Sequence, residues 1–415
     1  MPVLPRRRGR KPRVPMTDLL SALTFHVMSG PGTLADHFFQ LFGAPLADSS
    51  WSDRRARLPW EIFAELMRRA LRPRARRRHR EAFWRGWRLM ALDGTQFSLT
   101  NTPQITATTT KAQTRRGRAA FAKITAAVLL EIGWHNPVAA AIGHRGQSEW
   151  ALALSLVAQL PTGTLMLADR LYGCAAFLVH ALAACTRVGS HCLVRARPNV
   201  QRQVVKRFTD GSRLIRVPLH PPYNRHRTLQ WLTVREIRVR VGRAGARTHE
   251  LRLWTSLVDP QTAPALELAQ LYARRWEHEL YFREVKRHLR KTDVLQSHTV
   301  ETAAQEIAAL VLASALVAAE RARAAAGHLP VLRVSFGKVL HVVQSMWLFL
   351  GPFADLMTDR QQSQIVQRGY TLMRRGVTAT PRARSCPRAV RQPMTAWPRL
   401  LHNASVEGPF QFEVV

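Results

Sequence analysis

The stretch from Leu271 to Lys291, LYARRWEHELYFREVKRHLRK, restricts what this chain can fold into. Read as one helix, it puts Tyr272, Arg275, Glu279 and Lys286 within about 60° of one another at ~100° per residue. That stripe runs for about 20 Å at ~1.5 Å per residue. Leu271, Phe282, Val285 and Leu289 form an apolar stripe beside it, while Glu277 and Glu284 point elsewhere. The helix must therefore dock on a core and present a carboxylate flanked by a phenol and two cations. Taken alone, such a stripe is a solvated charged face. The upstream sequence changes that reading.

Lys plus Arg number 62 against 27 Asp plus Glu, a formal charge of +35 over 415 residues. An excess that large calls for a polyanionic partner. The hydrophobic fraction of 46% excludes a disordered basic tail and supports a large core, with more than one domain. Cys174, Cys185, Cys192 and Cys386 lack the paired spacing of a zinc site or disulfide framework, which fits a reducing cytoplasm. No secretory signal is visible. The longest apolar run, 307 to 319, is too short to cross a bilayer and reads as a buried helix. The expectation is a soluble chain.

Residues 1–15 form a basic, proline-punctuated arm, suited to a DNA groove or equally to a disordered tail. A helical pattern runs from there to about Phe83, with one helix after Pro59 leading into the cationic LRPRARRRHR of 71–80. WRLMALDG then reads as a buried strand ending at Asp93-Gly94. Strands over 121–132 and 137–143 surround a turn at His135-Asn136-Pro137, and Ser148 caps a helix. TLMLADRLYG is another buried strand, stopping at Asp169, with a helix after it and a strand at 191–198. Residues 199–250 alternate polar and apolar as an antiparallel insertion, turning at Pro221-Pro222 and again over 242–245. A strand at 251–257 precedes the helix that carries Glu279.

Asp93 and Asp169 thus each end a buried strand, where open α/β sheets expose functional groups. Either could be bland, Asp93-Gly94 as a turn and Asp169 as a helix cap. Clustering them with Glu279 is costly unless cations neutralise them. Two divalent ions about 3.5–4 Å apart would do so and would activate attack on phosphate, a task that suits magnesium.

In these motifs the chain resembles the DDE transposases of the insertion-sequence-four family. Their pattern is Asp-Gly-Thr, then Asp-Arg-x-Tyr-Gly, then Tyr, Arg, Glu and Lys spaced along a helix. Here these are Asp93-Gly94-Thr95, Asp169-Arg170-Leu171-Tyr172-Gly173, and Tyr272, Arg275, Glu279 and Lys286. Trp276 after Arg275, the insertion before the Glu, and SDRRARLP at 52–59 fit as well.

The resemblance implies an α/β fold: a ribonuclease-H-like catalytic core interrupted by a β-rich insertion, with helical N-terminal and C-terminal regions. The expected organisation is a basic arm 1–15, a helical DNA-binding region 16–86 and a core over 87–198 and 251–300. The insertion covers 199–250, a helical region 301–375 and a Pro/Arg-rich tail 376–415. Asp93, Asp169 and Glu279 would be catalytic and hold two Mg²⁺ ions, with Mn²⁺ able to substitute. Tyr272, Arg275 and Lys286 would contact DNA at the terminal phosphates. The expected partners are double-stranded DNA, as the element's terminal inverted repeats and as target, and a second copy of the chain. The expected activity is cut-and-paste transposition in a bacterial cytoplasm, associated with the nucleoid.

The alternative is a DNA-binding descendant that no longer cuts and represses the element. The complete acid triad and Tyr-Arg-Glu-Lys set disfavour it. A different metal nuclease on the same fold would not bind inverted-repeat ends specifically. RNA binding lacks an aromatic-rich motif to support it. Thr95 reads as a turn residue or a phosphate contact, Trp254 and Trp276 as core or as base-stacking groups, and Arg195 and Arg197 as DNA contacts or a solvated edge. His144 and His180 read as structural, and Asp210, Asp259 and Asp293 as turn residues.

Overall fold

The structure is a computed structural model. It describes residues 14–114, 117–221, 223–224, 227–242, 249–290, 292–327, 329–378, 384–385, 406–407 and 411–414. The arm before Val14, the turn beyond Gly242 and most of the tail lie outside these residues. The chain divides into two compact units.

The first unit comprises 1–166, 188–190 and 275–378. Four helices open it: α1 (Met16–Met28), α2 (Leu34–Phe42), α3 (Asp48–Ala56) and α4 (Trp60–Ala70). Thr33 and Asp36 form a capping box on α2, which stops at left-handed Gly43. Next come β1 (Phe83–Trp84), β2 (Trp87–Ser98), α5 (Pro103–Thr108), β3 (Gln113–Thr114), β4 (Gly117–Arg118), β5 (Lys123–Glu131), β6 (Asn136–Ile142) and α6 (Glu149–Val157). Strands β1, β2, β5 and β6 pair antiparallel in that order. As the sequence indicates, Ser148 caps α6.

The chain crosses into the second unit within β7 (Thr164–Ala168). That unit contains α7 (Ala175–Arg187), β8 (His191–Arg195), β9 (Gln203–Arg207), β10 (Arg213–Leu219), β11 (Gln230–Gly242), β12 (His249–Thr255) and α8 (Ala265–Tyr272). Strands β8, β12, β11, β10 and β9 pair antiparallel in that order. Buried Ile215, Val217, Val234, Ile237, Val239, Leu253 and Trp254 make its core.

The chain re-enters the first unit at Arg275 with α9 (Trp276–Glu284), α10 (Val300–Ala325), α11 (Phe336–Phe353) and α12 (Asp359–Arg374). Helix α10 is enclosed by α1, α4, β6, α11 and α12. It contains the apolar run at 307–319. Two segments, Val300–Ala325 and Phe336–Leu356, are long and apolar enough to cross a membrane by length and composition alone. The first is mostly buried within the chain, and the second is mostly only partly buried. In the tail, Arg384–Ser385 (β13) pairs with Val406–Glu407 (β14), and Gln411–Val414 (β15) joins β11 in the second unit, next to the register of β10. Composition does not signal that last pairing.

One buried cation organises the second unit. Arg235 is fully enclosed on β11. It donates to Ser212 Oγ at 2.7 Å, to the Ala263 carbonyl at 2.5 Å and to the Asp210 carboxylate. Asp210 also accepts from the Ala265 amide at the start of α8. Asp210 is thus a structural counter-ion. Asp210→Ala should destabilise this unit by about 3 kcal/mol, since removing one partner leaves a buried charge unpaired. Urea unfolding followed by proteolysis within 200–260 measures this, and unchanged protection would refute it.

Candidate active site

Asp93 lies inside β2, not at its end. The ladder with β5 runs from Met90 opposite Glu131 to Ser98 opposite Lys123, and Asp93 faces Val128. Asp-Gly looks locally like a turn. Cross-strand pairing and the burial of Phe97 and Leu99 carry the strand onward. With the alternation of a strand, Asp93, Thr95 and Phe97 share one face. On the other face, a Cβ at Gly94 would sit 2.3 Å from the Glu149 carboxyl carbon, so only glycine fits without displacing that side chain.

The expected single helix over 271–291 is four segments. Helix α8 ends at Tyr272, Ala273–Arg275 tightens into a 3₁₀ turn, and α9 runs to Glu284. Val285–Leu289 then widens into a π turn closed by the Arg290 amide on the Val285 carbonyl at 3.0 Å. Such turns are frequent at functional sites. The apolar stripe is buried as expected, and Phe282, Val285 and Leu289 belong to the core of the first unit.

Within that unit, the Arg275 guanidinium holds two carboxylates. Nη1 is 3.3 Å from Asp93 Oδ2, and Nη2 is 2.9 Å from Glu279 Oε1. Arg275 and Asp93 are about one-sixth exposed, and Glu279 more than twice as much. Lys286 donates to Thr95 Oγ1 at 2.6 Å and to the Gln96 carbonyl at 3.1 Å, with its ammonium over the Phe97 ring. Thr95 is therefore a partner of Lys286 in a strand and not a turn residue. Desolvation, then the nearby Arg290 and Lys123, pull the Lys286 pKa down.

The off-stripe acids fasten α9 to the turn between β5 and β6. Glu277 accepts from the Gly133 amide at 2.6 Å. Glu284 meets His135 Nδ1 at 2.6 Å and Arg321 at 3.1 Å. Burial opposes ionisation of Glu284, but His135 and Arg321 outweigh it and hold its carboxyl below the usual range. His278, fully buried between these acids, contacts the Val128 carbonyl at 3.0 Å, directly across from Asp93. Sequence reasoning did not find these anchors. Their signal was the appearance of Glu277 and Glu284 at positions facing away from the charged stripe.

Asp169 and Tyr272 lie in the second unit. Asp169 comes directly after the fully buried β7 and caps the next turn, accepting from the Leu171 amide at 2.6 Å. The Tyr272 hydroxyl donates to the carbonyl of Ala168 at 3.2 Å. Arg197 donates to the Leu171 carbonyl at 2.5 Å, bracing the same loop. A Cβ at Gly173 would meet the Arg195 carbonyl at 2.0 Å, which explains why glycine ends that motif. A cleft of about 1010 Å³ in this unit has Asp169, Arg170, Arg197, Asn199, Gln201 and His220 on its walls. Trp254 is a core residue whose indole donates to Glu236, whereas Trp276 is exposed. Among the described residues, no three His, Cys, Asp or Glu side chains gather closely enough to hold a metal ion.

The family model of the transposase DDE domain matches residues 84–316. The chain is 27% identical over 323 residues to the transposase InsG of insertion sequence element IS4 from Escherichia coli (strain K12), covering 74% of this chain and 69% of that one. Among solved structures it is similar to a piggyBac transposase in a synaptic complex with hairpin DNA, seen by cryo-electron microscopy. That likeness has a TM-score of 0.40 and 9% identity, over 88% of this chain and 79% of the other.

Burial pushes the His278 imidazole down to about 3. A histidine neutral in the fold but protonated near pH ~6.5 when unfolded contributes fully above that pH and progressively less towards 3. Between pH 7 and 5 the wild type should lose about 2 kcal/mol more stability than His278→Gln. Denaturant unfolding at both pH values tests this, and parallel losses would exclude the histidine.

Proposed function

This chain belongs to the DDE transposases of the insertion-sequence-four family, and we propose that it binds the terminal inverted repeats of its element and moves it by cut-and-paste chemistry. The supporting observation is the grouping of Asp93 and Glu279 on one guanidinium, beside Lys286 and Thr95. Carboxylates that already share a cation form an oxygen donor set suited to a hard divalent ion. In this reading Asp93, Asp169 and Glu279 hold two magnesium ions, for which manganese substitutes, on a ribonuclease-H-like core interrupted by the β-rich segment 199–250. When bound, magnesium supplies Lewis acidity and neutralises charge on the phosphate under attack.

The chain's own residues do the rest. Arg275 stands where it can pass from the carboxylates to a terminal phosphate, bidentate and always charged. Lys286 adds a point charge, and Tyr272 orders the end of β7 next to Asp169 through its bond to Ala168. Water cleaves the phosphodiester at the element's end and leaves a 3′-hydroxyl. That hydroxyl attacks a target phosphodiester and displaces a target 3′-oxygen. The working form is a homodimer on DNA, in the nucleoid of a bacterial cytoplasm.

Glu279→Gln should abolish metal-dependent nicking of DNA carrying the element's ends while leaving binding to those ends within about twofold of wild type. Nicking that survives in this variant would remove Glu279 from catalysis. Arg275→Ala should weaken the complex with those ends and lower the slope of log K against log salt by about 0.9, one phosphate contact. An unchanged slope would show that Arg275 serves the carboxylates alone.

A further inference from the structure

The cationic segment at 71–80 does not continue α4. The helix ends at Ala70 with the Leu71 amide on the Met67 carbonyl, and Pro73 disfavours the helical conformation for Arg72. From Leu71 to His79 the chain is neither helix nor strand, yet its backbone is tied down at Leu71, Arg72, Arg74, Ala75, Arg76 and His79, with Arg77 and Arg78 at the tip of the turn that the His79 amide closes on the Arg76 carbonyl at 2.8 Å. The Arg72 carbonyl accepts from Asn136 Nδ2 at 3.0 Å. The Arg74 and Ala75 amides donate to the Glu131 carboxylate at 3.0 and 3.1 Å. The Ala75 carbonyl accepts from Arg88 at 2.8 Å, and the Arg76 amide donates to His79 Nδ1 at 2.8 Å. Leu71 and Ala75 are buried, and the His79 ring lies edge-on to Trp134 at 4.8 Å.

Glu131 anchors this arrangement. It is completely buried at the end of β5 and also takes the Arg88 guanidinium and, at 3.0 Å, the Asn136 amide. A buried carboxylate with this many donors is stable only while all of them stay in place. Its effect is to hold a run of like charges that would otherwise repel one another and move. Arg76, Arg77, Arg78 and Arg80 stand exposed on the braced loop. Among the described residues no carboxylate pairs with them. The scaffold below them is anchored on Glu131, Asn136 and Arg88.

We propose that Arg72–Arg80 is a preassembled contact for the phosphate backbone of duplex DNA, separate from the carboxylate site. This rests on the DNA-binding reading above and gives it a location. Guanidinium groups on a rigid loop reach phosphate oxygens at little ordering cost, and such contacts position the duplex without reading its sequence. The loop therefore engages any duplex and not only the element's ends.

The test uses the full chain and a labelled duplex of arbitrary sequence, titrated over a range of NaCl concentrations. One variant carries Arg76→Gln, Arg77→Gln and Arg78→Gln. A matched control removes the same charge at the exposed Arg360, Arg368 and Arg375 on and just after α12. All six side chains are exposed, so both variants should melt with wild type. In the loop variant the slope of log K against log salt should fall by about 2–3, at ~0.9 per phosphate released, while the control keeps the wild-type slope. Equal slopes in the two variants would reduce the effect to net charge and overturn the proposal alone. A wild-type chain that binds no duplex would overturn both the proposal and the reading beneath it. Tighter binding of the loop variant would reverse the assigned sign and also overturn it.

Discussion

Two ionised carboxylates brought close together repel unless a cation stands between them, and in the first unit that cation is Arg275. Arg275 bridges Asp93 on β2 and Glu279 on α9. For the bridge to form, a strand near residue 93 and a helix near residue 279 must meet with their faces aligned. The rest of the first unit secures that meeting. Glu277 and Glu284 tie the far side of α9 to the turn between β5 and β6, and His278 binds the carbonyl of Val128, the residue opposite Asp93. The face of α9 that carries Glu279 is thus oriented by bonds made on its other faces.

The scarce acids have a second use. In a chain with 27 acidic residues against 62 basic ones, several carboxylates are spent inside. Glu131 braces the arginine loop, Glu284 joins α9 to α10 through Arg321, Asp210 holds Arg235, and Glu236 accepts from Arg202 and Trp254. Each neutralises a buried or crowded cation where desolvation would otherwise be severe.

How much of this is legible in the sequence varies residue by residue. The motifs around Asp93, Asp169 and Glu279 were readable because their spacing is local, and the DDE transposase family followed from them. The buried stripe of Phe282, Val285 and Leu289 was readable from helical period. Asp-Gly, a local turn signal, places Asp93 at a strand end, whereas the pairing with β5 that carries the strand past it is not local. The 3₁₀ turn and the π turn that split the 271–291 helix leave no mark on hydrophobic period. Both depend on how the flanking segments pack.

By itself, the sequence determined the chemistry on offer: which acids, which cations, the helices and strands that carry them, and an excess of positive charge. Short-range pattern encodes these because period, caps and motif spacing act over a few residues. The tertiary structure alone decided what each group touches. Arg275 meets Asp93 across 182 positions, Lys286 meets Thr95 across 191, and Glu131 reaches back 57 residues to the Arg74 amide. Those contacts depend on burial and cross-strand register, which exist only once the chain has closed on itself.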